Sequence, residues 1–170
     1  LIEAALIGQN IAPGFNRNFA SENWSFIKPE MWDQAFEEAE DYAKYDQPLD
    51  ISGSDIDHKA IQIASENAVE AGLGDLITWK QMQVRDLFLK QEGGYIIGNP
   101  PYGERLGDIQ KITPIYQAVG KIIKENPSWS IYILTAFKDF EKQIGKKPTK
   151  RRKLFNGFIR TDYYQYFGKK

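Results

Sequence analysis

Short apolar runs and amphipathic stretches alternate along the 170 residues of this chain, and that order predicts a doubly wound α/β fold with a mostly parallel sheet covered on both faces. The apolar runs are short, β-branched and aromatic, as strands are, whereas the stretches between them repeat their apolar residues at helical spacing. Near the C-terminus Asn156-Gly157 stands between two apolar and aromatic runs, a strong local signal for a β-hairpin, which gives the sheet an antiparallel edge.

The elements follow in order. "LIEAALIG", residues 1–8, reads as the middle of an amphipathic helix closed by Gly8; with no N-cap before Leu1, it is expected to continue an upstream segment. Residues 30–45 carry Trp32, Ala35, Phe36, Ala39 and Ala43 in one stripe with acids opposite, the pattern of a surface helix. "LDISGSDID" (49–57) is a strand ending in small and acidic residues, and residues 58–75 form a helix with Ile61, Ala64, Ala68 and Ala71 in line and Gly72 as its cap. Residues 76–82 and 94–99 read as further strands, the latter buried. Residues 113–126 read as a helix with Thr113 as N-cap and Pro114 at its first position. "WSIYILTA" (129–136) is a fourth strand and residues 137–145 a short helix before the closing hairpin.

Composition bounds the function classes. With 42% hydrophobic and 26% charged residues, the chain fits one soluble domain over residues 1–170, and the expected compartment is the cytoplasm, since no bilayer-length apolar run or signal peptide is visible. The absence of Cys and the single His58 argue against metal or covalent catalysis. A net charge of −1 argues against a domain that grips nucleic acid over its whole surface, although "KKPTKRRK" (146–153) is densely basic. That run reads either as a solvated loop or as a phosphate contact through Lys150, Arg151 and Arg152.

In doubly wound sheets ligands bind at the carboxyl ends of the strands, so the residues after each strand are the candidate site. Gly53 permits close backbone approach, Asp55 offers a carboxylate able to accept both hydroxyls of a ribose, and Ile56 stands beside it. Asp57 is the N-cap of the following helix, with His58 exposed in its first turn. Asp86 offers an acceptor for an adenine amino group, with Leu87 or Phe88 against the ring.

The most specific stretch is "NPPYGERLG" (99–107). Asn99 brings a side-chain carbonyl, Pro100 and Pro101 have no N–H, and Tyr102 adds a flat ring. An acceptor-rich turn beside an aromatic plate suits an exocyclic amino group on a planar ring. Hydrogen bonds from that amine to the Asn99 oxygen and the Pro100 carbonyl would hold it toward sp³ geometry and stabilise the charge that develops on nitrogen during alkylation. Glu104 and Arg105 follow, suited to a base edge or a neighbouring phosphate, or to pairing with each other.

"NPPYGERLG" resembles the motif of amino-group methyltransferases that use S-adenosylmethionine. With "LIEAALIGQNIAPGFNR", "GSDID", "AIQIASENAVEAGLGD" and "RKLFNGFIRTDYYQYF", nearly the whole chain resembles the catalytic domain of the THUMP-containing bacterial 23S ribosomal RNA guanine-N2 methyltransferases. The resemblance implies a Rossmann-like methyltransferase sheet, methyl transfer to a guanine N2 and ribosomal RNA as partner. It assigns the cofactor ribose to Asp55, the adenine to Asp86 and the target amine to Asn99, Pro100, Pro101 and Tyr102. In that family a first strand, a Gly-rich loop and an RNA-binding module precede the helix that "LIEAALIG" resembles. The resemblance therefore implies a truncated catalytic domain that alone binds cofactor weakly or not at all. Two other functions compete: adenine-N6 methylation of DNA, and nucleic-acid binding without catalysis.

Overall fold

The computed structural model describes residues 1–103 and 108–169, which group into two units, Leu1–Met82 and Gln83–Lys170.

In the first unit, α1 (Ile2–Gly8) and α2 (Pro29–Tyr42) precede β1 (Ile51–Asp55), α3 (His58–Glu70) and β2 (Ile77–Gln81). β1 and β2 are parallel, in register from Ile51 with Ile77 to Asp55 with Gln81, so α3 is the crossover that parallel pairing requires. Asp57 caps α3 as expected, its Oδ1 accepting the Lys59 amide at 2.9 Å. At the other end Gly72 turns at φ +73°, and the Leu73 amide donates back to the Ala68 carbonyl. The core is small: Ala5, Ala68, Leu73 and Ile77, flanked by Leu49, Ile51 and Trp79. α2 lays Trp32 and Phe36 against Phe19 and Phe15, with Trp32 stacked on Phe19 at 5.6 Å.

The second unit contains β3 (Gly94–Gly98), α4 (Asp108–Glu125), β4 (Trp129–Thr135), α5 (Phe140–Ile144), β5 (Lys150–Asn156) and β6 (Ile159–Tyr166). The strand order is β3-β4-β6-β5, with β3 parallel to β4 and the last two strands antiparallel. The expected hairpin is present, Asn156 pairing with Ile159 across Gly157 at φ +58°. α4 and α5 cover one face of this sheet around Tyr116, Ile123, Ile131, Phe140, Ile144 and Tyr164, all at most 3% exposed. Phe140 stacks on Tyr164 at 4.2 Å.

Three expectations need correction. α4 begins at Asp108 rather than after Thr113, and Pro114 lies inside it. The apolar stripe extends upstream through buried Ile112, and the Thr113 hydroxyl donates to the Ile109 carbonyl at 2.7 Å, so packing outweighs the hydrogen bond that proline forfeits. The basic run is not a loop throughout, because Lys150–Lys153 are the first four positions of β5, where "KRRKLFN" pairs antiparallel with β6. β3 is not buried on both faces: Ile96 meets the core, whereas Tyr95 and Ile97 are 76% and 72% exposed.

Gly120 sets the distance between α4 and α5. A Cβ there would lie 2.8 Å from the Ile144 carbonyl oxygen and 3.0 Å from its Cα, backbone that cannot yield locally. Gly120→Ala is therefore expected to destabilise by about 1–2 kcal/mol, overpacking outweighing the better helix propensity of Ala. Thermal melting should show a fall of about 5 °C in Tm; an unchanged or raised Tm would show that the two helices part freely.

Candidate active site

The turn after β3 is shaped by its prolines. A residue before proline is held out of the helical region, so Asn99 and Pro100 both continue extended, and the two prolines withhold their amide donors. Gly103, at φ +73°, closes the turn. Asn99 and Pro101 are exposed, Pro100 and Tyr102 half-buried. The Tyr102 hydroxyl donates to Asn99 Oδ1 at 2.7 Å, which fixes the tilt of the ring and polarises the amide. One lone pair of that oxygen remains for a second donor.

The turn is anchored from beneath by residues that sequence reading did not assign. Tyr116 of α4, fully buried, donates its hydroxyl to the Pro101 carbonyl at 3.0 Å and lies 2.6 Å from Thr135 Oγ1 at the end of β4. The Phe137 amide donates to the same Thr135 oxygen at 3.0 Å. The directions are forced: a carbonyl only accepts, so the single phenolic proton goes to Pro101 and the Thr135 hydroxyl must donate to Tyr116. Burial pushes the Tyr116 phenol up to about 12, against the opposing hydrogen bond from Thr135, so it keeps that proton through the neutral range. Two signals pointed here. Tyr116 is the polar member of an otherwise aliphatic stripe, Ile112, Val119 and Ile123, and Thr135 is itself a strand-end residue.

The proposed cofactor residues fall in both units. In the first, the Asp55 carboxylate is exposed; its Oδ1 accepts the Asp57 amide at 2.9 Å, and its carbonyl accepts the Met82 amide at 2.8 Å. The carboxylate is thus turned and held, with lone pairs to spare for a diol. Ile56 is 62% exposed, an apolar surface next to that carboxylate, and its carbonyl accepts from Gln81 Nε2 at 3.0 Å. The space beside Gly53 is taken by the side chains of Leu1 and Trp79, so its missing Cβ serves packing within this unit.

In the second unit, Asp86 ends a short 3-10 turn, Val84–Asp86, and is exposed. Leu87 packs against the core around Tyr116, whereas Phe88 is 79% exposed. Taken unit by unit, the Asp55 carboxylate beside Ile56 has the acceptors a ribose diol needs, and Asp86 beside Leu87 has an acceptor for an adenine amino group.

Of the basic run, Arg151 donates to Glu141 at 3.0 Å and Asp162 at 2.8 Å with its guanidinium over the Tyr164 ring, so it ties β5 to α5 and β6. Lys150 and Arg152 are exposed. Glu104 and Arg105 lie outside the described residues. Among the described residues no cluster of three metal-ligating side chains occurs, and no helix is long and apolar enough to cross a membrane.

Residues 1–165 match the family model for the RMKL-like methyltransferase domain. Over 168 residues the chain is 58% identical to YpsC of Bacillus subtilis (strain 168), by name a candidate RNA methyltransferase, covering 99% of this chain and 44% of that protein. It is 37% identical over 164 residues to the ribosomal RNA large subunit methyltransferase K/L of Shewanella frigidimarina (strain NCIMB 400), covering 94% of this chain and 23% of the relative. The chain therefore spans less than half the length of these curated relatives. Among solved structures, SMU.472, described as a candidate methyltransferase complexed with SAH, superposes with a TM-score of 0.94 at 44% identity, over 99% of this chain and 45% of its own. A Listeria monocytogenes (str. 4b F2365) protein described as a predicted N6-adenine-specific DNA methylase gives 0.90 at 55% identity, over 99% and 43%.

Proposed function

We propose, for a chain that belongs to the RMKL-like methyltransferase domain family and has its Rossmann-like methyltransferase fold, that the protein methylates an exocyclic amino group of a nucleic-acid base, guanine N2 of 23S ribosomal RNA. The observation that carries this reading is the turn Asn99–Tyr102, with its acceptor carbonyls, two prolines without donors and a ring tethered by its own hydroxyl. S-adenosylmethionine, when bound, supplies a methyl group activated on a sulfonium; Asp55 and Ile56, with Asp86 and Leu87, are the residues that would hold its adenosyl portion.

The chain's own residues do the rest. A nucleobase amine is a poor nucleophile because its lone pair is delocalised into the ring. Asn99 Oδ1 and the Pro100 carbonyl accept its two N–H bonds, which turns the lone pair out of conjugation and meets the developing positive charge with two fixed dipoles. Tyr102 stacks on the base. No strong base is needed, because the amine loses its proton after alkylation. Glu104 and Arg105, just beyond the turn, are assigned to the base edge or an adjacent phosphate.

RNA is favoured by the two curated relatives, whose names are those of RNA methyltransferases, and guanine by the resemblance of the segments flanking the turn. Adenine N6 is the second reading, favoured by the description of the Listeria structure. An unpaired base reaches such a pocket at lower cost than a stacked, paired one. The test is to incubate the full-length protein with labelled S-adenosylmethionine and unmodified ribosomal RNA, digest to nucleosides and identify the product by mass spectrometry. N2-methylguanosine is expected. N6-methyladenosine would overturn the base, and label appearing on DNA alone would overturn the substrate.

A further inference from the structure

The hairpin of β5 and β6 reaches beyond the edge of the sheet that carries Asn99. β5 runs parallel to β3 and β4, so its end, Asn156, lies at the same edge as Gly98 and Thr135. Register fixes the overhang. Thr135, the last residue of β4, pairs with Asp162, which pairs with Lys153. Leu154, Phe155 and Asn156 therefore extend past β4 together with Ile159, Arg160 and Thr161, a projection of about 10 Å. β5 lies three strand spacings from β3, about 14 Å to one side of the Asn99 turn.

The chemistry of this projection is lopsided. Residues 146–160 hold seven Lys and Arg and no Asp or Glu, in a chain whose net charge is −1. Among the described residues only Arg151 of these seven has an ion pair, and every residue of β5 is exposed. At the tip, Phe155 is 63% exposed and Phe158 is fully exposed, flanked by half-exposed Leu154 and Ile159. Lys153 Nζ sits 5.3 Å above the Phe155 ring. Free cations along an edge, ending in solvent-facing aromatic rings, are the parts of a single-strand nucleic-acid site: charge tracks the backbone and rings stack on unpaired bases. An ordinary edge strand needs the cations to deter pairing, but it has no use for two exposed phenylalanines at its tip.

We propose that this hairpin grips the single-stranded RNA flanking the target nucleotide, Lys150, Arg152 and Lys153 on phosphates and Phe155 and Phe158 on bases. The proposal rests on the amino-group methyltransferase reading for its register, since the tip lies beside the turn that would hold the extruded base. Arg151, held by Glu141 and Asp162, braces the hairpin instead of touching RNA.

Binding of fluorescent single-stranded oligoribonucleotides to the full-length protein, measured across a salt series, tests it without requiring turnover. Phe155→Ala with Phe158→Ala should weaken binding about 10-fold or more and leave the salt slope unchanged. Lys150→Ala, Arg152→Ala and Lys153→Ala together should make the slope of log affinity against log salt shallower by about 2. All five positions are exposed, and an unchanged Tm for both variants confirms that the fold is kept. Unchanged affinity and slope in both sets would overturn the proposal, as would equally tight binding of duplex RNA or tighter binding of single-stranded DNA. If the hairpin variants lose RNA while the parent protein yields no methylated nucleoside, the methyltransferase reading fails and the hairpin assignment stands. Methylated product from the parent protein, with undiminished RNA binding in the variants, keeps the methyltransferase reading and overturns the hairpin assignment.

Discussion

Replacing Asn99 with Ala is expected to lower methyl transfer about 100- to 1,000-fold while leaving the affinity for S-adenosylmethionine within about twofold. The amide oxygen is exposed at the turn and already polarised by Tyr102, so its loss removes an acceptor whose interaction strengthens as charge appears on the target nitrogen. An interaction made mainly in the transition state shows in kcat and in kcat/KM together, with little change in ground-state binding. Asn99 bonds only to Tyr102 through its side chain among the described residues, so the fold has little to lose. Single-turnover kinetics beside cofactor titration separate the outcomes. Near-normal turnover would remove Asn99 from the chemistry, and a collapse of Tm would make it a structural residue of the turn.

Tyr116→Phe carries the second largest expectation, because it keeps the ring and cuts one link in a directed chain. The Pro101 carbonyl loses its donor and the Thr135 hydroxyl loses its acceptor, a cost of about 1–3 kcal/mol for a buried polar group left unmatched. Tyr116 is a positioning residue: it holds the Asn99–Tyr102 turn from behind, so kcat should fall about 10-fold or more with KM for RNA nearly constant. Thr135→Val should match that effect, Thr135→Ser should retain activity, and the double variant should be little worse than either single one, since both cuts fall in the same chain. Additive losses would show that the two residues act independently.

The same substitution has a signature at high pH. The unfolded phenol titrates near 10 and the folded one near 12, so between these values the unfolded state has released a proton that the folded state still holds. The stabilisation is whole below about pH 10 and is lost as pH rises to about 12. Tyr166 shifts in the same direction through burial and adds to the loss. Tyr116→Phe should flatten the alkaline fall without abolishing it.

How much was legible beforehand differs from residue to residue. The cap of α3 at Asp57, the reversal at Gly72 and the final hairpin were all visible, because each rests on neighbours within a few positions, and the crossover between β1 and β2 was visible in the alternation of strand and helix periods. α4 was misread at its start for a local reason: Thr113-Pro114 looks like a first turn, and only burial of Ile112 against the sheet carries the helix upstream through the proline. The composition of the Asn99 turn was equally plain, but its internal tie from Tyr102 depends on a rotamer, which sequence does not specify.

Period, caps and turn residues, all local physics, thus fixed the α/β class and singled out Asn99, Pro100, Pro101 and Tyr102 as the candidate site. Tertiary structure alone decided what holds that turn and which cations are free. Tyr116 meets Pro101 and Thr135 across 15 and 19 positions, and Arg151 pairs with Glu141 and Asp162 while Lys150 and Arg152 stay in solvent. Such pairings arise only when the chain closes, because a buried phenol must find partners among whatever groups packing brings beside it, and the same packing brings α5 and β6 carboxylates up to an exposed guanidinium.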